Sequence, residues 1–586
     1  MIRARFDDLR PHRRRSFEMV GLIDTLVAST TAEVGRVLER IESEMASGRW
    51  VAGFVAYEAA PAFDPALTVM ASVPDLPLAW FSIWKGRGPT RPSRRAPYEL
   101  GEWLPAVDRS RYEEGVLRIK EHIRQGDTYQ VNHTFRMETG FLGDAASFYL
   151  DLVRAQSCGY GAFLDTGRFA IASASPELFF EWRHGTILCR PMKGTIRRGL
   201  TLTEDEEQRS RLERSDKDRA ENLMIVDMVR NDLGRVARTG TVVTPVLFSS
   251  EKYDTVWQLT STVVAEPRKD CRIGDVFAAL FPSASITGAP KVATMGIIAD
   301  LEADPRGIYC GAIGFGGPDA GGDRQWAFNV AIRTVTIDRT NSTARYGTGG
   351  GVTYDSTPAG EFAEALLKAA VLARTSADFQ LLETIRFDPA LDDEGGLWLL
   401  DRHLERLIAS ARYFEIPLDP AEVRAALRSA VAGASEVRRL RLLVDRTGLV
   451  TVEDSDPGAA SPTEGARVGI DAVPVDEGDP FLYHKTTHRR AYVEALARNP
   501  NVDDVILINA AGHVTETSVA NLAACLDGVW VTPPVSDGLL PGTFRAELLA
   551  RGELFERSLT PADLKEATEL ARFNSVRGWE AVLLDG

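Results

Sequence analysis

Two lysines, two pairs of acids and two glycine-containing turns are the residues of this sequence whose types and spacing could do chemistry. Lys193 stands in CRPMKGTIRRG (Cys189–Gly199), between an apolar pair and a Gly-Thr turn, with two arginines just beyond. Most lysines are exposed, so this one is either a solvated amine at a strand end or an amine aimed at a substrate. Asp218 and Glu221 are three residues apart, as are Glu361 and Glu364, a spacing that sets each pair on one helix face. Lys368 follows Glu364 by four residues. Two acidic pairs converging from different helices could hold a hard cation such as Mg²⁺, which takes oxygen ligands and keeps some waters. The other reading is two solvated faces with local lysine or arginine partners. GTGGGVTYDS (Gly347–Ser356) directly precedes the second pair, and successive glycines let backbone N–H groups approach an anion. A cation beside an amide-lined pocket suits a substrate with carboxylates. No strand–GxGxxG–helix unit surrounds the glycine runs, which argues against a dinucleotide loop.

The second half carries a different set. FLYHKTTHRRAYVEA (Phe481–Ala495) places Lys485 at the start of an amphipathic helix, and GHVTETSVANL (Gly512–Leu522) places Glu516 on a turn between strands. LLPGTFRAELL (Leu539–Leu549) sets Gly542 and Thr543 at a helix N-terminus, a natural seat for phosphate. A lysine, an acid and a phosphate seat together suggest pyridoxal phosphate: a Schiff base, a partner for the pyridine nitrogen and an anchor. Composition alone leaves open that these are three unrelated surface features.

Positioning these groups falls to a mixed set of elements. WVAGFVAYEAAP (Trp50–Pro61) reads as a buried strand entering a turn, and Tyr112, Val116 and Ile119 recur at helical spacing within Arg109–Gln125. DTYQVNHTFRMET (Asp127–Thr139) alternates like a strand, and GRFAIASASPELFFEW (Gly167–Trp182) reads as two strands joined at Ser175-Pro176. A charged stretch, Thr203–Arg219, leads into a helix over Arg219–Ala237. Ala359–Ser376 is an amphipathic helix. The pattern restarts at Ser376–Phe379 with a strand, then a helix, DRHLERLIASARYFEIP, stopped by Pro417. The boundary falls near residue 377, giving domains 1–376 and 377–586.

At 586 residues the chain is too long for one core. A formal net charge of −15 argues against nucleic acid or an anionic membrane as partner. The one short basic tract, RPHRRR (Arg10–Arg15), reads as a solvated terminal segment. No apolar run approaches the roughly 18–20 residues of a membrane span, and no secretory signal opens the chain. Five scattered cysteines, without CxxC spacing, suggest neither disulfides nor zinc and point to a cytoplasmic location.

Seven segments appear in order: SPELFF (175–180), PMKGT (191–195), DRAENLMIVDMVRNDLGRV (218–236), SITGAPK (285–291), YCGAIGFGG (309–317), AIRT (331–334) and GGGVTYDSTPAGEFAEALLKA (349–369). Over about residues 50–375 they closely resemble the chorismate-utilising family of anthranilate, isochorismate, salicylate and aminodeoxychorismate synthases. The resemblance implies an N-terminal two-sheet α/β sandwich. It implies Asp218, Glu221, Glu361 and Glu364 as the Mg²⁺ cluster, and Gly194, Thr195, Tyr309, Arg333 and Gly349, Gly350 and Gly351 as the carboxylate-binding set, with Lys368 beside them. Two positions discriminate within the family. The water-adding members carry a lysine base where Gln130 stands, and aminodeoxychorismate synthases carry a lysine where Lys193 stands. That resemblance implies attack of Lys193 on ring carbon 2, followed by ammonia at carbon 4, with burial or nearby cations lowering the lysine's pKa. Family members often have a histidine where Gln258 stands. SCGYG around Cys158 does not match a glutaminase nucleophile, so nitrogen would come as free ammonia or from a separate glutamine amidotransferase subunit.

Residues from about 379 onward resemble fold-type IV pyridoxal-phosphate enzymes, the branched-chain and D-amino-acid aminotransferases and aminodeoxychorismate lyase. The resemblance implies Lys485 as Schiff-base lysine, Glu516 at the pyridine nitrogen, Arg406, Thr543 and Ser575 at the phosphate, and a homodimer through this domain. The whole is expected to be an α+β chain that makes 4-aminobenzoate from chorismate in two steps, on the route to folate. An anthranilate-type synthase fused to a type IV aminotransferase, or to a degenerate scaffold, is the alternative.

Overall fold

The computed structural model describes residues 2–10, 14–90, 95–156, 158–319, 321–373, 378–391, 395–456 and 465–585. They group into two compact units, Met1–Arg197 with Arg209–Ser376, and Arg198–Gln208 with Ala377–Gly586. The short segment Arg198–Gln208 thus groups with the second unit. The expected boundary near 377 falls where residues 374–377 lie outside those described. Among the described residues no helix is long and apolar enough to cross a membrane.

Among the described residues of the first unit nineteen strands join one branched network of pairings. Four of them frame the chemistry: β1 (Gln130–Gly143), β2 (Met192–Arg197), β3 (Val256–Ala265) and β4 (Thr343–Val352). β4 runs antiparallel to β1, with Gly350 opposite His133 and Gly351 opposite Asn132. β2 pairs antiparallel with β3, Thr195 opposite Gln258.

Two helices carry the acids. α1 (Asp216–Gly234) starts where the Ser215 side chain accepts from the Asp218 N–H, an N-cap that closes the preceding charged helix, Leu202–Arg214. Its residues Asn222, Ile225, Val226, Val229 and Leu233 are buried at helical spacing, the apolar ones within a core shared with Val263, Phe277, Phe281 and Phe328. Each such side chain stabilises the fold by about 1.5–3 kcal/mol. α2 (Pro358–Ala369) has proline in its first turn and packs Ala365 and Ala369 into a second core with Val131, Phe135 and Val352. Burial on one side leaves the acids of both helices facing away from the cores.

The second unit combines a three-stranded antiparallel sheet with an eight-stranded one. The smaller sheet contains β5 (Leu381–Phe387) and is covered by α3 (Leu400–Phe414), whose Leu404, Leu407 and Ala411 pack on Leu381 and Ile385. α4 (Arg490–Arg498), β6 (Val514–Thr517) and α5 (Thr543–Ala550) follow. Within this unit Tyr413 donates to Gly199 O at 2.8 Å, and His484 Nε2 lies 3.1 Å from Leu200 O.

Candidate active sites

One cavity of about 280 Å³ in the first unit is lined by Lys193, the four acids and the whole expected carboxylate-binding set, while Gln130 stays outside its lining. β2 supplies Lys193, Gly194 and Thr195; α1 supplies Asp218 and Glu221; β4 supplies Gly349, Gly350 and Gly351. α2 adds Glu361, Glu364 and Lys368, and connecting segments add Tyr309 and Arg333. β2 and α1 are locked together by buried Asn222, whose amide donates to Lys193 O and Leu259 O at 3.1 Å each and accepts from Ser261 at 2.6 Å. Gly194 has φ +95°, a left-handed turn that suits glycine, and a Cβ there would press to 3.0 Å on Asp218. A Cβ on Gly350 would come within 2.8 Å of Glu361 Oε2, and one on Gly351 would overlap both Lys193 Nζ and the Gln130 amide. The glycines thus let a bare backbone run between the lysine and the acids.

Lys193 exposes 16% of its side chain and lies 3.8 Å from Glu221 Oε2. Burial holds its pKa below the ordinary lysine value, against the attraction of Glu221 and with the help of Lys368. Lys368 bonds Glu364 at 2.8 Å and Gly349 O at 2.9 Å. Burial, with Glu364 nearby, raises the Glu361 carboxyl; burial also opposes ionisation of Glu364, but Lys368 overcomes it and holds Glu364 low. Arg333 donates to Gln156 at 2.5 Å, and Gln258 donates to Thr195 Oγ1 at 3.4 Å. Tyr309 is stacked by the Arg136 guanidinium. The Gln130 amide is fully buried, and among the described residues neither of its polar atoms has a hydrogen-bond partner.

Four carboxylates in one cavity have the donor chemistry for Mg²⁺. They are not gathered into a closed cage: among the described residues the three ligand atoms that come within 4.8 Å of one another belong to His184, Asp319 and Asp323, outside this cavity. The acids fit a cation that also takes water and substrate oxygens. A second, larger cavity of about 750 Å³ involves none of the candidate residues. It corrects one expectation, since Arg10, Arg14 and Arg15 line it, with Arg10 paired to Asp8 at 2.6 Å, instead of forming a solvated tail. His12 and its neighbours 11 and 13 lie outside the described residues.

In the second unit Lys485 is half-buried, and its pKa falls to about 8 through desolvation and the nearby Arg406. It lies on an irregular segment five residues before α4, not at a helix start, because the polar TTHR run turns the chain before the helix begins. Glu516 stands within β6 and not on a turn; its carboxyl accepts from Tyr492 at 2.7 Å and from Leu540 N–H at 3.1 Å, and burial pushes it up to about 7. Arg406 grips buried Glu383 with two N–H groups at 2.9 and 2.6 Å and donates to Pro541 O at 3.1 Å. His403 Nδ1 lies 2.7 Å from Glu383, and its Nε2 lies 3.4 Å from Thr543 Oγ1. Burial alone would raise Glu383, but Arg406 and His403 hold it down to about 2. Gly542 caps α5, where a Cβ would overlap Asn521. Ser575 is buried in the turn after Glu569–Asn574, and the hydrogen bonds joining the other residues do not include it. A half-buried lysine, an acid on β6 and a helix N-terminus with Arg406, His403 and Thr543 beside it fit pyridoxal phosphate.

Residues 85–374 match the family of chorismate binding enzymes, and residues 380–583 match amino-transferase class IV. The chain joins a domain of each. Over 268 residues, 46% of this chain, it is 43% identical to an aminodeoxychorismate synthase of Streptomyces griseus and covers 36% of that protein. Over 266 residues, 45% of the chain, it is 39% identical to aminodeoxychorismate synthase component 1 of Klebsiella aerogenes and covers 57% of it. The chain thus matches between about a third and three fifths of the length of these relatives. Menaquinone-specific isochorismate synthase from Escherichia coli shares the fold, with a TM-score of 0.51 at 18% identity over 64% of this chain and 88% of that one.

The chorismate-binding domain also brings in residues whose roles the sequence did not single out. Glu177 is buried beside Lys193 and accepts from Ser285 Oγ at 2.6 Å, and both line the cavity. Burial pushes its carboxyl up to about 7. The signal lay within SPELFF, an acid amid apolar neighbours, since acids are almost never fully buried without a task or a partner. In the class IV domain, Glu383, His403 and Tyr492 were likewise passed over. Cys158 is buried and its thiol is pushed up by burial, so it is no ready nucleophile.

Proposed function

We propose that the chain makes 4-aminobenzoate from chorismate in two steps. The chorismate-binding domain aminates chorismate to 4-amino-4-deoxychorismate, and the class IV domain removes pyruvate from it. The observation that carries this reading is a half-buried Lys193, its pKa lowered by burial, in one cavity with two acidic pairs, Arg333 and the glycine strand. Arg333 would take a substrate carboxylate through its planar fork. Bound Mg²⁺, held by Asp218, Glu221, Glu361 and Glu364, some through water, would fix the ring carboxylate and stabilise charge as the hydroxyl departs. Lys193, neutral, attacks ring carbon 2; Glu177, in its protonated form, hands a proton to the hydroxyl leaving carbon 4. Ammonia then adds at carbon 4 and expels the lysine. A separate glutamine amidotransferase is the natural source of that ammonia.

In the class IV domain, bound pyridoxal phosphate supplies an electron sink for carbanion chemistry. Arg406, His403 and Thr543 would hold the phosphate, Glu516 the pyridine nitrogen, and Lys485 would anchor the group and carry the substrate's Cα proton. Glu383 and Tyr492 would keep Arg406 and Glu516 in place. Supplying chorismate, ammonium and Mg²⁺ to the protein and identifying the aromatic product by chromatography tests the reading. 4-Aminobenzoate is expected; anthranilate or salicylate would overturn it.

A further inference from the structure

Glu177 is a wall of two cavities. On one side is the reaction cavity with Lys193. On the other is a much smaller one, about 10 Å³, whose lining includes Cys189, Val229, Asp232 and Ser283. That volume holds one water-sized molecule, and ammonia or ammonium is the reactant of that size in the proposed amination. Its polar lining residues are Glu177, Asp232 and Ser283; Asp232 is paired with Lys291 at 3.1 Å, and Glu177 becomes a carboxylate that attracts a cation once its proton has gone to the leaving hydroxyl. Ser283 Oγ lies 3.0 Å from Ser285 Oγ, and Ser285 Oγ donates to Glu177 Oε1 at 2.6 Å. Ser285 and Glu177 also face the reaction cavity. An unbroken hydroxyl–carboxyl chain therefore leads from the small cavity to the large one.

We propose that the small cavity behind Glu177 is a binding site for ammonium, from which the nitrogen enters the reaction cavity while its proton passes through Ser283 and Ser285 to Glu177. This rests on the amination reading above. The proton account closes. When the lysine nitrogen bonds to carbon 2, the C–O bond at carbon 4 breaks and the hydroxyl leaves as water with the proton of the Glu177 carboxyl. The carboxylate so formed takes a proton from ammonium. Ammonia then uses its electron pair to bond carbon 4, the bond from carbon 2 to Lys193 breaks, and that electron pair returns to the lysine. Glu177 and Lys193 end as they began, with no further base. A carboxyl pushed up to about 7 by burial can hold either form near neutrality.

The test is steady-state kinetics of the full chain with ammonium chloride as nitrogen source, Mg²⁺ and pyridoxal phosphate present. Val229→Phe and Cys189→Met each fill the small cavity from residues that do not line the reaction cavity, and Ser283→Ala breaks the hydroxyl chain. Circular dichroism and thermal midpoint select the variants that fold. The proposal expects a roughly tenfold or larger rise in KM for ammonium in the filled variants, with KM for chorismate within about twofold of the parent. Ser283→Ala is expected to lower kcat at saturating ammonium. An unchanged KM for ammonium in a folded, filled variant would mean that the cavity holds only water and would overturn the proposal. Failure of the parent protein to form aminodeoxychorismate at any ammonium concentration would instead overturn the amination reading.

Discussion

Lys193 and Lys485 are both held below the ordinary lysine range by burial, and each has an acid within reach that keeps the shift from running further. Their separate positions make separate outcomes. Lys485→Ala should let aminodeoxychorismate accumulate without 4-aminobenzoate, read by chromatography of the products. Lys193→Ala should slow aminodeoxychorismate formation while the conversion of added aminodeoxychorismate continues. Glu177→Gln should lower the rate of the first step by about 10²–10⁴, the usual worth of a general acid. The same substitution has a stability signature. With its folded pKa near 7 and an unfolded value of about 4.3, Glu177 binds more protons folded than unfolded between those pH values. The stability it contributes is present below the lower value and lost as pH rises through the upper one. Glutamine does not titrate, so the thermal midpoint of Glu177→Gln relative to the parent should rise from pH 4 to pH 8; a constant difference would contradict the raised pKa.

The elements explain why these side chains meet. β4 runs its glycines between Lys193 and Glu361, so Gly351→Ala should place a methyl group where Lys193 Nζ and the Gln130 amide now lie. Chorismate turnover should fall sharply, with circular dichroism and the second reaction unaltered. α1 and α2 were legible because their apolar residues recur at helical spacing and their caps and prolines mark the starts. The acids at i, i+3 followed from that. Lys485 and Glu516 were placed on the wrong elements for a physical reason. A polar run such as TTHRR carries no periodicity by which to tell a helix start from a loop. The four residues of β6 are too few to alternate convincingly. Glu383 was invisible within a strand of otherwise ordinary pattern, because what marks it is the bidentate grip of Arg406 on the neighbouring helix.

At the scale of the whole molecule, the two sets of residues occupy separate units, so their chemistries should be separable by what each needs. Chelation with EDTA should stop chorismate consumption and leave conversion of added aminodeoxychorismate intact. Borohydride added with pyridoxal phosphate bound should attach the label to Lys485 and stop only the second reaction, with mass spectrometry locating it. Loss of both reactions under either treatment would speak against two independent sites. The sequence by itself determined which residue types the chain holds and in what order, and that was enough for the α+β class and the two families. Those features are local: a motif, a period, a cap. Only the tertiary structure decided that Glu177 stands beside Lys193, that Ser283 and Ser285 link it to a second cavity, and that Arg198–Gln208 groups with the second unit. Burial and proximity are relations between segments far apart in the chain, and a carboxyl's pKa is set by what surrounds it in space.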